Sequence, residues 1–246
     1  MNDMAGCSPA QGAWELCTNL TCMIDWLDHW QTLVAGIAAV VAAVASIHYL
    51  RRQIAQTAEM EETRRKRRLA AARSRLHLAL SDIVHYAEEC IALLKQYLDA
   101  TGGPRTAMNA LASLPRPVLP EQAVLVFEPV IEATDDDEFA GVITDMISRM
   151  QVMSARMGRL PAEGRRLGVP NLHSYLLNAA EIHAYASSMF DYARREAQTP
   201  PHSLDWALVR TALNLSHLYP DAYEDLHAFV GRAAERAEHQ APQELA

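Results

Sequence analysis

Ten histidines and thirty carboxylates give this 246-residue chain the raw material of a metal centre, because imidazole and carboxylate one helical turn apart can close on a zinc or iron ion. The spacing is nearly absent. Glu-x-x-His occurs once, at Glu224 and His227, with no second copy to complete a paired di-iron bundle, and HExxH does not occur. His85 with Glu88 or Glu89 is a reversed pair, His183 stands near Glu181, and His77, His173 and His217 are isolated; these read as surface or partly buried histidines. The run Asp135 to Glu138 lacks the alternating oxygen ligands and central glycine of a calcium loop and reads instead as a cap for the helix that follows.

Nucleophile chemistry fares no better. There is no Gly-rich phosphate loop, no GxSxG elbow and no cluster of cysteines. Cys17 and Cys22 are five apart and Cys7 precedes them, outside any CxxC or CxxCH spacing. In an oxidising compartment Cys17 and Cys22 would suit a small disulfide loop; free thiols are the alternative. The reading is therefore of no catalytic residue, no metal and no cofactor. Its one enzymatic alternative is a helical metalloenzyme built around Glu224 and His227.

The elements that would position any chemistry begin with Leu33 to Leu50 (LVAGIAAVVAAVASIHYL), which holds no charged residue and as an α-helix extends about 27 Å, the thickness of a hydrocarbon core. Trp26 and Trp30 flank it on one side and Tyr49, Arg51 and Arg52 on the other, as interfacial anchors do. Charge is banded around it: residues 1–32 sum to -4 with no Lys or Arg, residues 51–75 to +6, and the remaining 171 residues to -10. The basic side stays in the cytoplasm, so residues 1–32 are expected in the periplasm. A cleaved signal peptide needs a basic n-region, where this chain has an acidic leader. Within the span Ala35, Ala39 and Ala43 recur at four-residue steps beside Ala38, Ala42 and Ser46, a face of small side chains that favours association of helices in lipid.

No glycine or proline falls between Ile37 and Thr101, which predicts one helix running from the span into the cytoplasm. Its juxtamembrane part, 51–68, is polar on every face, with Glu61 before Arg65 and Glu62 before Lys66 in the favourable i,i+4 order. Arg51, Arg52, Arg64, Arg65, Lys66, Arg67 and Arg68 fix topology and offer charge to anionic headgroups. Residue 64 would stand about 20 Å from residue 50, so the second cluster touches lipid only through a bend or tilt. Nucleic acid is disfavoured as a partner, because no aromatic residue interleaves with the arginines and the domain that follows is acidic.

The stretch from Trp30 to about Leu94, with WQTLVAGIAAVVAAV, then QIAQT at Gln53 to Thr57, the arginine run, and AAARSRLHLALSDIVHYAEEC at Ala70 to Cys90, resembles a group of uncharacterised single-span inner-membrane proteins of proteobacteria. The resemblance implies a bacterial inner-membrane setting. It brings no activity, ligand or functional residue.

Beyond the collar, Leu69, Leu76, Leu80, Ile83, Ala87, Ile91, Leu94 and Leu98 form an amphipathic stripe, ended by Gly102, Gly103 and Pro104. Further helices are expected from Glu121 to about Thr134, interrupted at Pro129; after Asp135 to Asp137, with Phe139, Val142, Ile143, Met146, Ile147, Met150, Met153 and Met157 on one face; from an Asn171 cap to about Ala197; from about Ser203 to Leu218; and from Pro220 and Asp221 onward. The methionine face reads as core, with an adaptable partner groove as the alternative.

The expected architecture is all-α. A short external segment (1–32) leads to a transmembrane helix (33–50), a charged juxtamembrane helix (51–68), a cytoplasmic bundle of five to six helices (69–238) and a polar tail (239–246). The expected function is a membrane-anchored interaction or scaffold protein that contacts membrane lipid and binds itself or a protein partner. Its alternative is a signalling protein with an external sensing segment.

Overall fold

A computed structural model of the chain describes residues 20–101, 110–163 and 167–240, with side chains from Trp30 onward except at 161–163 and 240. All regular structure among these residues is helical. The chain divides into two compact units, Met1–Glu62 and Thr63–Ala246.

Helix α1 spans Leu20–Asp99, 80 residues without a break. From Trp30 it is long and apolar enough to cross a membrane by length and composition, the one such helix among the described residues, and none of its apolar window is buried. Every side chain from Trp30 to Arg64 is exposed. Burial starts within the second unit: Leu76, Leu80, Ile83, Ala87, Ile91 and Leu94 are fully buried, and the steps of three and four between them make a single core-facing stripe.

Helix α2 (Glu121–Ala133) contains Pro129 and still runs to its end, against the interruption expected there. Proline removes only the amide bond to the Leu125 carbonyl; Pro129 lies on the exposed side, while the fully buried Phe127 and Val130 hold the helix to the core. Helix α3 (Asp137–Glu163) opens where the aspartates suggest, with Asp136 Oδ1 accepting from the Phe139 amide at 2.9 Å. Its methionines Met146, Met150, Met153 and Met157 are buried core.

Helix α4 (Val169–Ser188) starts ahead of the expected Asn171 cap: Gly168 is the extended residue before it and Pro170 occupies the first turn, where a missing N–H costs nothing. It is buried on all sides from Leu176 to Ala186, and it packs against α3 and the later helices. Ala179, Ala180, Ala184 and Ala186 make that close approach feasible. The helix expected to reach Ala197 breaks at Met189, resumes as the short α5 (Phe190–Arg194) and stops at Arg195, whose φ of 67° is left-handed. Helix α6 (Trp206–Leu215) is capped by the Asp205 side chain, which accepts from the Ala207 amide at 2.7 Å, and α7 spans Glu224–Gln240. One hydrophobic core joins the stripe of α1 from Ala72 onward to residues of α2, α3, α4, α6 and α7.

Candidate functional site

The stretch of α1 from Arg65 to Arg75 lies beside α2 and leaves a groove of about 780 Å³ between them. Two stripes line it. Helix α1 contributes Arg65, Arg68, Ala71, Ala72, Ser74 and Arg75, and α2 contributes Gln122, Leu125, Val126, Pro129, Glu132 and Ala133. The floor is small and apolar, and Leu125 projects from one bank with 57% of its surface exposed. Arg65 reaches across to Asp135 at the α2–α3 corner, which ties the start of the arginine stripe to the helical body. Arg68 and Arg75 are exposed along the same bank. Guanidinium groups over a shallow apolar floor can hold carboxylates or phosphates carried on an apolar body.

At the same corner, His202 Nε2 stands 2.7 Å from Asp136 Oδ2, and Nδ1 lies 3.8 Å from Glu138. The hydrogen bond that the imidazole donates to the Asp136 carboxylate holds it above its usual range. The Phe139 amide, and then His202, hold the Asp136 carboxyl below its usual range.

A second polar cluster joins α3 to α4. Arg149 Nε donates to Asp145 at 2.9 Å and its Nη1 pairs with Glu181, while the Tyr185 hydroxyl donates to Asp145 at 2.8 Å. Burial raises the Glu181 carboxyl above its ordinary range against the opposing pull of Arg149. A cleft of about 580 Å³ opens beside these residues toward Trp206 and Arg236. The cluster is closed on itself: each carboxylate already has a guanidinium or phenol partner.

A third arrangement has the connectivity of an acyl-transfer triad. Ser187 Oγ is 3.2 Å from His183 Nδ1, and His183 Nε2 is 3.7 Å from Glu88. Burial depresses the His183 imidazole and keeps it neutral. Ser187 sits inside α4, however, where backbone amides are committed to the helix and offer no donors to an oxyanion.

Ala35, Ala38, Ala39, Ala42, Ala43 and Ser46 all lie exposed on α1, and the Ser46 hydroxyl donates to the Ala42 carbonyl at 2.7 Å. Arg51, Arg52, Arg64, Lys66, Arg67 and Arg68 are exposed on the same helix. Cys7, Cys17 and the Cys22 side chain lie outside the described residues. Cys90 is buried, and burial pushes its thiol up to about 12. Glu224 and His227 do not assemble a site: His227 Nε2 is 2.7 Å from the Leu218 carbonyl, and no group of three His, Cys, Asp or Glu side chains among the described residues could hold a metal.

Two basic residues carry more of the packing than the sequence reading assigned them. Arg73 donates to the carbonyls of Tyr192 and Ala197 and lies over the Tyr192 ring. Arg195 returns a bond to the Ala70 carbonyl at 3.2 Å. The signal for Arg73 was present: it falls four residues after Leu69 and three before Leu76, on the face that the periodicity assigns to the core.

No family model, curated protein or solved structure matches this chain.

Proposed function

We propose that this chain is a single-span protein of a bacterial inner membrane, with the segment before the span in the periplasm and the helical body in the cytoplasm. The body acts as a scaffold that binds a second copy or a protein partner, without catalysis of its own. The observation that carries the reading is the uncharged run from Leu33 to Leu50, exposed on every face of α1, with the arginine band on one side of it only. An apolar helix with no protein against it needs another apolar environment, and lipid supplies one.

Topology and association are tested together in cells. A phosphatase fused after residue 246 is expected to be inactive and a fluorescent protein at the same place bright, and the intact chain is expected in the membrane fraction until detergent is added. Chemical crosslinking in membranes is expected to give a dimer or a defined larger species. A chain that stays in the aqueous fraction, or one that is strictly monomeric with no copurifying protein, overturns the reading.

Signalling is the second reading, favoured by the continuity of α1 through Leu33–Leu50 to the core residues Leu76–Leu94. It requires that oxidation or cleavage of the external segment change cysteine accessibility in the helical body.

A further inference from the structure

The residues that lead into α2 read Leu114, Pro115, Arg116, Pro117, Val118, Leu119 and Pro120. Proline fixes its own φ at about -65° and confines the residue before it to extended backbone. Pro115, Pro117 and Pro120 therefore restrain themselves and Leu114, Arg116 and Leu119, and only Val118 carries no such restraint. The stretch from 115 to 119 accordingly runs without a turn or bend, in the polyproline manner, with three residues to a turn and no internal hydrogen bonds.

The helical body fixes this segment from one side and leaves the other bare. Leu119 packs against the core, and Pro117 and Pro120 are half-buried. Arg116 Nη1 donates to the Gly158 carbonyl of α3 at 3.1 Å. Pro115 and Val118, three apart and so on one edge of a threefold helix, are both exposed. Val118 is 80% exposed, more than any other large apolar side chain among the described residues. The amides of Arg116 and Val118 and the carbonyls of residues 115–118 make no backbone hydrogen bond to any described residue.

A chain whose φ angles are already fixed loses little freedom when it is bound. Aromatic-lined grooves read such chains: the apolar edge lies between rings, and a tyrosine or tryptophan donor meets a bare carbonyl. Addition to a partner's sheet edge suits the segment less, because a φ of about -65° at each proline is far from the roughly -120° to -140° of a strand. We propose that residues 115–119 are the segment through which this chain docks on a protein partner, the Pro115–Val118 edge seated in a groove of aromatic side chains. The assignment rests on the partner-binding reading above and adds the place of contact and the chemistry that meets it.

Photo-crosslinking of the full chain tests it. Val118 is replaced by p-benzoylphenylalanine in native cells, and their membranes are irradiated. The expected result is one discrete adduct, crosslinked beside tryptophans or tyrosines of the partner. Pro115→Gly, which removes a ring and frees a φ, is expected to lower the adduct yield roughly fivefold with helical content unchanged. A synthetic peptide of residues 113–121, in excess over permeabilised vesicles, is expected to suppress the adduct, and the same peptide with Val118→Asp is not.

No adduct at 118, in a chain that still copurifies with a protein or crosslinks to a defined species, overturns the docking segment and leaves the partner-binding reading standing. A strictly monomeric chain with nothing copurifying overturns both. An adduct to a second copy of this chain, to a surface without aromatic side chains, or one unmoved by Pro115→Gly and the peptide, overturns the proposal. If methylation of the Val118 amide abolishes competition by the peptide, a sheet edge is pairing with the segment and the aromatic groove fails.

Discussion

Arg73 holds its guanidinium carbon 3.8 Å from the centre of the Tyr192 ring while its nitrogens donate to the Tyr192 and Ala197 carbonyls. One side chain thereby stacks on α5 and satisfies carbonyls where that helix ends, a junction that Arg195 reinforces through Ala70. Replacing Arg73 by alanine removes charge-assisted hydrogen bonds and a cation–π contact, an expected loss of about 2–3 kcal/mol. Arg73→Lys keeps the charge but not the fork and is expected to recover less than half of it. Urea unfolding of the detergent-solubilised chain, followed by circular dichroism, measures both.

The Asp136–His202 contact gives the corner of α3 a pH window. The Asp136 carboxyl is held low in the fold, so its contribution is present above about pH 4 and is lost as pH falls through its lowered value. The His202 imidazole is held high, so its contribution is complete below about pH 6.5 and fades as pH rises through its raised value. Both are complete between those limits, with Glu138 adding negative charge near the imidazole. Asp136→Asn is expected to bring the His202 titration back toward an ordinary imidazole, read by NMR. Asp136→Ala also removes the cap and is expected to cost about 1 kcal/mol, whereas His202→Ala leaves the cap in place.

The cluster of Arg149, Asp145, Glu181 and Tyr185 predicts unequal effects from the partly exposed Arg149 and the buried Glu181. Removing the cation by Arg149→Met strands the Glu181 carboxylate, which is almost fully buried, and is expected to destabilise by about 3–5 kcal/mol. Glu181→Gln removes the charge that burial disfavours and is expected to stay within about 1 kcal/mol of the parent at neutral pH. Because the Glu181 carboxyl is raised in the fold, the parent gains stability relative to Glu181→Gln as pH falls through that raised value. Thermal melts across pH 4–8 separate the two variants.

The proposed membrane span predicts that the uncharged run of α1 is sensitive to charge at its middle. Val41 lies near the centre of Leu33–Leu50, and Val41→Arg is expected to cost about 2.5–3.5 kcal/mol of insertion free energy. Carbonate extraction of membranes measures the fraction retained, and Val41→Leu is expected to extract like the parent.

What could be read from the sequence was whatever repeats. The α1 stripe of Leu76, Leu80, Ile83, Ala87, Ile91 and Leu94 and the α3 stripe from Phe139 to Met157 are periodic over many turns, and burial follows them. Boundaries are harder, because they turn on single residues: Pro129 predicts a break, yet an exposed proline leaves most of α2 intact, and Asn171 suits a cap, yet Gly168 and Pro170 start α4. The break at Met189 leaves no local mark, since neither glycine nor proline stands there. Of the candidate groove, the arginines were visible but their opposite bank was not. Leu125 and Glu132 become its neighbours only when α2 folds back beside Arg65, through a contact between residues 70 positions apart.

The exposure of α1 between Arg51 and Glu62 sets how that stretch behaves under stress. A solvent-exposed helical stretch of this length is marginal alone in water, so its order is supported by the turns on either side of it in the chain. Such a segment frays first on warming and exchanges its amides ahead of the core. Trypsin is therefore expected to nick the chain within 51–68 well before the helices beyond it unfold, making this stretch the mechanical fuse of the molecule.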